Sequence, residues 1–143
     1  MFVTFAAIFS LIRKNQSDMK SYIQSLIVDK NQTASSLGSG SLDVLATPAL
    51  VAFMENTAVK ALDDLGKGMT TVGTEINVRH LKASKIGEKM TCTATLIHQE
   101  GRRYEFAITV SDSTGELTAT ATHERAAVDV ERFLRKLNAG KDE

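Results

Sequence analysis

Thr47-Pro-Ala-Leu-Val-Ala-Phe-Met-Glu55-Asn-Thr-Ala-Val-Lys-Ala-Leu62 decides the fold. It reads as one helix, apolar around most of its circumference. Thr47 can cap the first turn, and Pro48 fits the first helical position, where no backbone N–H is needed. A helix apolar nearly all round is normally buried. Glu55 breaks the pattern, beside Met54 and two positions after Phe53. A buried carboxylate is costly unless a cation or a solvated cleft compensates it. The rest of the chain has to supply that compensation.

Upstream, Tyr22–Val28 reads as a strand, and Asp29–Ser41 as a polar loop or short helical turn that Thr33 can open. Downstream, the helix stops near Asp63–Gly66, where a glycine suits the left-handed end. From Met69 the period changes to two. Val72, Thr74, Ile76, Val78 and His80 fall on one strand face, and Gly73, Glu75, Asn77 and Arg79 on the other. Met90–Gln99 and Tyr104–Val110 alternate in the same way about a hairpin turn containing Gly101. Leu117–Val130 forms a long last strand, followed by a short amphipathic helix over Val128–Leu137. Consecutive hairpins imply an antiparallel meander. The expected architecture is therefore α+β: a five-stranded antiparallel sheet wrapped around one long central helix, the hotdog arrangement. An open sheet of five strands leaves edges, which a homodimer covers by edge pairing.

Composition narrows the function. The chain has 143 residues, 43% hydrophobic and 24% charged, with a formal net charge of +0. That fits one domain with a real core and gives no nucleic-acid footprint. We divide it into an N-terminal extension (1–18), a single domain (19–137) and a charged tail (138–143). The apolar run Phe2–Ile12 precedes its positive charges, the reverse of a secretory signal, and is too short to span a bilayer. The single cysteine, Cys92, excludes an internal disulfide, fits a reducing cytoplasm and reads as a core thiol. No His and carboxylate spacing suggests a metal site, and no cofactor is expected.

Thr47, Glu55, His80 and Arg125 remain as candidates. A hydroxyl, a buried carboxylate and an imidazole are the parts of an acyl-transfer site, and a helix N-terminus can hold an oxyanion. Each also has a structural reading: Thr47 as a cap, Glu55 as a solvated helix residue, His80 as a bonded core residue, Arg125 as a partner of Glu124 or Glu131. His98 and His123 read as surface or packing residues. Eight residues of helix separate Thr47 from Glu55 by roughly 12 Å. A joint site therefore needs a fold-back or a second subunit.

The chain resembles the fluoroacetyl-CoA thioesterase-like hotdog proteins over about Thr33–Phe133. The resemblance rests on Ala46-Thr47-Pro48, Phe53-Met54-Glu55, Val72-Gly73-Thr74 leading to His80, Glu100-Gly101-Arg102-Arg103 and Thr122-His123-Glu124-Arg125. It implies catalytic roles for Thr47, Glu55 and His80, and substrate binding by Gly73 and Arg125. It also implies cleavage of an acyl-CoA to acid and coenzyme A in a homodimer with sites at the subunit interface, with coenzyme A as part of the substrate; a tetramer arises where two such dimers pair. The segment ahead of Thr47 departs from the fluoroacetate-specific pattern. Ser35-Ser-Leu-Gly-Ser-Gly-Ser41 carries no aromatic residue, so a general short or medium acyl-CoA is expected. A non-hydrolytic acyl-CoA binding module is the alternative; such a module has no need of a buried base. A hydratase would need an acid–base pair beside the acyl Cα–Cβ bond, which nothing in the sequence marks.

Overall fold

The computed structural model describes residues 5–7 and 20–140, so most of the 1–18 extension lies outside the described residues. Strand β1 (Ser21–Ile27) is followed by a 3-10 turn (Lys30–Gln32) and a one-turn helix α1 (Ala34–Leu37). The long helix α2 (Thr47–Ala61) leads into β2 (Met69–His80), β3 (Lys89–Glu100), β4 (Arg103–Ser111) and β5 (Leu117–Asp129). Helix α3 (Val130–Ala139) closes the described chain. Thr33 caps α1 with its side chain, as its position suggests, and Gly38 ends it in the left-handed conformation.

All five strands form one antiparallel sheet in the order β1-β3-β4-β5-β2. The meander is real for β3, β4 and β5. Strand β2 is not hairpinned to β3 but crosses to pair with β5 at the far edge. The polar connection after His80 is what allows this. Leu81 and Lys82 donate their N–H groups to the Thr118 carbonyl at the start of β5, and Lys82 Nζ lies 2.8 Å from Asp112 and 2.6 Å from Glu116. The chain is thereby tied across the β4–β5 turn before it returns to β3.

Helix α2 buries one face rather than its whole circumference. Leu50, Phe53, Met54, Thr57, Ala58 and Ala61 recur at three- and four-residue spacing and are buried, whereas Val59 is exposed. This face meets the inward residues of the sheet, paired Cys92 with Val110, Ala94 with Ile108 and Leu96 with Phe106. Cys92 is fully buried there, and burial raises its thiol pKa to about 11, so it packs as a neutral thiol.

The face assignment of β2 differs from simple alternation. Gly73 pairs with Arg125 and Glu75 with Glu124, which leaves Thr74 as an extra, bulged residue. A one-residue bulge inverts the side-chain phase. Thr71 and Gly73 therefore share the inward face of β2 with Ile76, Val78 and His80, and Val72 turns outward.

Candidate active site

Helix α2 begins without a side-chain cap. Ala46 is the cap residue, Thr47 is the first helical residue and Pro48 the second. The Thr47 hydroxyl is thus not used on its own helix. It lies 2.9 Å from His80 Nδ1 at the end of β2. Burial lowers the His80 pKa, which keeps the ring neutral and able to accept the hydroxyl proton. The first intrahelical bond runs from Leu50 N to the Ala46 carbonyl. The N–H groups of Thr47 and Ala49 therefore have no hydrogen-bond partner among the described residues, beside the positive end of the helix dipole.

Two turns further along the same side of α2, Glu55 faces the bulged part of β2. Its side chain is 37% exposed, so it is half-buried in a cleft rather than sealed in the core. Its Oε2 is 3.4 Å from Arg125 Nη1, an ion pair between helix and sheet. Arg125 is buried, and every arm of its guanidinium is engaged. Nε donates to Thr71 Oγ1 at 2.8 Å, Nη2 to the Thr71 carbonyl at 3.0 Å, and Nη1 also to His123 Nε2 at 3.1 Å. His123 Nδ1 lies 2.7 Å from the Glu75 carbonyl and can only donate to it, which fixes Nε2 as the acceptor. Burial lowers the His123 pKa, and the Arg125 charge adds to that effect. Burial also lowers the Arg125 pKa, with Glu55 opposing.

Gly73 sits against this group because nothing larger fits. A Cβ there would lie 3.0 Å from Glu55 Oε2, 3.3 Å from Arg125 Nη1 and 3.4 Å from His123 Cε1. The five residues expected at the site thus form two clusters. Thr47 meets His80; Glu55, Gly73 and Arg125 meet each other. Arg125 pairs with Glu55 rather than with Glu124 or Glu131. Thr71 and His123, which hold Arg125 in place, were not expected at the site. The spacing His123-x-Arg125 was the available signal, since two residues along a strand share a face. The two clusters remain separated by two turns of α2, roughly 12 Å at the helical rise.

A five-stranded antiparallel sheet crossed by one long helix is the hotdog architecture, and here a hydroxyl–imidazole pair stands at the helix start with a carboxylate further along the same helix. The chain belongs to the family described as fluoroacetyl-CoA-specific thioesterase, FlK, whose model matches residues 28–131; the homologues named from it are thioester hydrolases. A curated relative, the fluoroacetyl-CoA thioesterase of Streptantibioticus cattleyicolor, is 36% identical over 96 residues, covering 66% of this chain and 68% of that protein. A crystal structure of a point mutant of FlK superposes with a TM-score of 0.79 at 29% identity, covering 85% of this chain and 95% of that one. A mutant of the same enzyme in complex with fluoroacetate and CoA matches with a TM-score of 0.75 at 30% identity, over 80% and 97% of the two chains. A thioesterase superfamily member from Thermus thermophilus shares the fold, with a TM-score of 0.79 at 21% identity over 85% and 90%.

Proposed function

We propose that this protein hydrolyses short or medium acyl-CoA thioesters, with Thr47, His80 and Glu55 as catalytic residues and Gly73 and Arg125 at the substrate. The carrying observation is the 2.9 Å contact between Thr47 Oγ1 and a neutral His80, at an uncapped helix start. In this reading His80 accepts the Thr47 proton as Oγ1 attacks the thioester carbon. The first-turn N–H groups hold the developing oxyanion. The C–S bond then breaks, and the coenzyme A thiolate leaves with the proton from His80. Glu55, held by Arg125, takes a proton from the water that attacks the acyl ester, and that proton returns to Thr47 Oγ1 as the acyl C–O bond breaks and the free acid leaves.

The 12 Å gap supports completion of the site across a homodimer. Among the described residues β2 is an edge strand, hydrogen-bonded only to β5. Antiparallel pairing of two β2 edges about a two-fold axis sets the His80 end of one strand beside the Gly73 end of the other. The Thr47–His80 pair of one subunit then faces the Glu55–Gly73–Arg125 group of its partner. Residues 29–46 contain no aromatic side chain, which supports a general acyl substrate over fluoroacetyl-CoA. No helix among the described residues is long and apolar enough to cross a membrane.

The test is thiol release from a panel of acyl-CoAs, acetyl to long chain, by wild type and Glu55→Gln. Turnover that collapses in the folded variant is expected. Undiminished turnover by Glu55→Gln removes Glu55 from the mechanism. Binding without turnover by wild type would favour a non-hydrolytic role.

A further inference from the structure

At the start of β2, a second cleft lies between α3 and the sheet. Met69, the hairpin residue Arg102, and Asp129, Arg132, Phe133 and Lys136 from one helical row line it, around roughly 310 Å³. Three cations, Arg102, Arg132 and Lys136, stand together here. Elsewhere on α3, Arg135 meets Glu131 at 3.1 Å, and on β4 Arg103 meets Glu124 at 3.0 Å. The side chains of Arg102, Arg132 and Lys136 make no ion pair or hydrogen bond among the described residues. Arg132 and Lys136 are also four residues apart on a helix, where like charges repel. The one carboxylate in the cleft, Asp129, uses Oδ1 to cap α3 through Arg132 N. Phe133 lies among these cations with 40% of its surface exposed. Unpaired cations around an open aromatic face suit a phosphorylated nucleoside, phosphate on the guanidinium and ammonium groups and base on the ring.

We infer that this cleft binds the adenosine phosphate end of the acyl-CoA substrate. The inference rests on the thioesterase reading and adds the subsite that distinguishes coenzyme A from a bare thioester. The spacing agrees. Met69 is four residues from Gly73 along β2, about 13 Å at the strand rise. The pantetheine arm runs through about thirteen bonds from sulfur to the first phosphorus, roughly 15 Å when extended. A thioester placed beside the Gly73–Glu55 pair therefore puts its phosphates within reach of Arg102, Arg132 and Lys136.

Two measurements on the full chain test this. Calorimetry with adenosine 3′,5′-bisphosphate should show one salt-sensitive site per chain, weakened about tenfold in Arg132→Ala/Lys136→Ala. The ratio of kcat/KM for acyl-CoA over the matching acyl-pantetheine should fall by a similar factor in that variant, and Lys89→Ala, an exposed cation elsewhere, should leave the ratio unchanged. A double variant that binds the bisphosphate as wild type does and keeps the ratio overturns the assignment while thioester hydrolysis stands. A wild type that hydrolyses neither thioester overturns the proposed function, and bisphosphate binding alone then decides whether the cleft is a nucleotide site.

Discussion

Gly73 is the residue on which the carboxylate side of the site depends most directly. A methyl group 3.0 Å from Glu55 Oε2 must displace either that oxygen or the Arg125 arm beside it. Gly73→Ala should lower kcat/KM by tenfold or more, because misplacement of about an ångström costs up to 10²-fold, while leaving the melting temperature near wild type. Thr47→Ser should keep turnover within tenfold and Thr47→Val should abolish it, with hydroxylamine trapping an acyl-enzyme only where a hydroxyl is present. A wild-type rate for Thr47→Val would exclude the covalent route. The pH profile follows from His80. Its lowered pKa means that the neutral, proton-accepting form survives below the usual imidazole range, so kcat/KM should fall on the acid side with an apparent pKa under 6.5. An acid limb above 6.5 would contradict that assignment.

At the scale of elements, the sequence was most legible where periodicity is strongest. Helix α2 ends at Ala61, shortly before its expected stop at Asp63–Gly66, and β4, β5 and β3 up to Leu96 follow their alternation, beyond which a register shift takes His98 off the expected face. Two features were hidden for physical reasons. Thr47 and Pro48 make an ordinary helix-opening signal, yet the helix starts one residue earlier than that signal places it, at Thr47, with Ala46 as the cap residue and its N–H bonded to the Gln32 carbonyl. Only tertiary contact reveals that the hydroxyl is spent on His80. The Thr74 bulge leaves no compositional trace, so alternation placed Gly73 on the face opposite His80. Deleting Thr74 is the direct test. It should restore simple alternation and turn either the Gly73 side or the His80 side away from α2, with loss of turnover in a chain that still shows the sheet by circular dichroism. Full activity after the deletion would show that the bulge does not set the site.

In the proposed homodimer the two clusters come together only at the level of the whole molecule. Mixing inactive Thr47→Val and Glu55→Gln chains should regenerate activity in the heterodimer, because one of its two shared sites is then intact. If each site lies within a single chain, no mixture recovers activity. Stability should also respond to acid. His80 and His123 both have pKa values lowered by burial, so the unfolded chain binds protons more readily than the folded one. Their contribution is complete above the ordinary value of 6.5 and is lost as pH falls below it towards the lowered values. The denaturation midpoint should accordingly fall as the pH drops below 6.5. In His123→Gln, which removes one of these ionisations, the fall should be shallower.

The bare N-terminus of α2 has a wider consequence. A side-chain cap is worth about 1 kcal/mol, and at Ala46 the chain forgoes it. In the proposed mechanism the substrate itself becomes the missing cap: an oxygen that gains negative charge as bonds rearrange settles on donors that nothing else has claimed. Stability and turnover would then compete for the same two N–H groups. Ala46→Ser should raise the melting temperature and slow catalysis together, making the rate of this protein a measure of how unfinished it leaves one end of a helix.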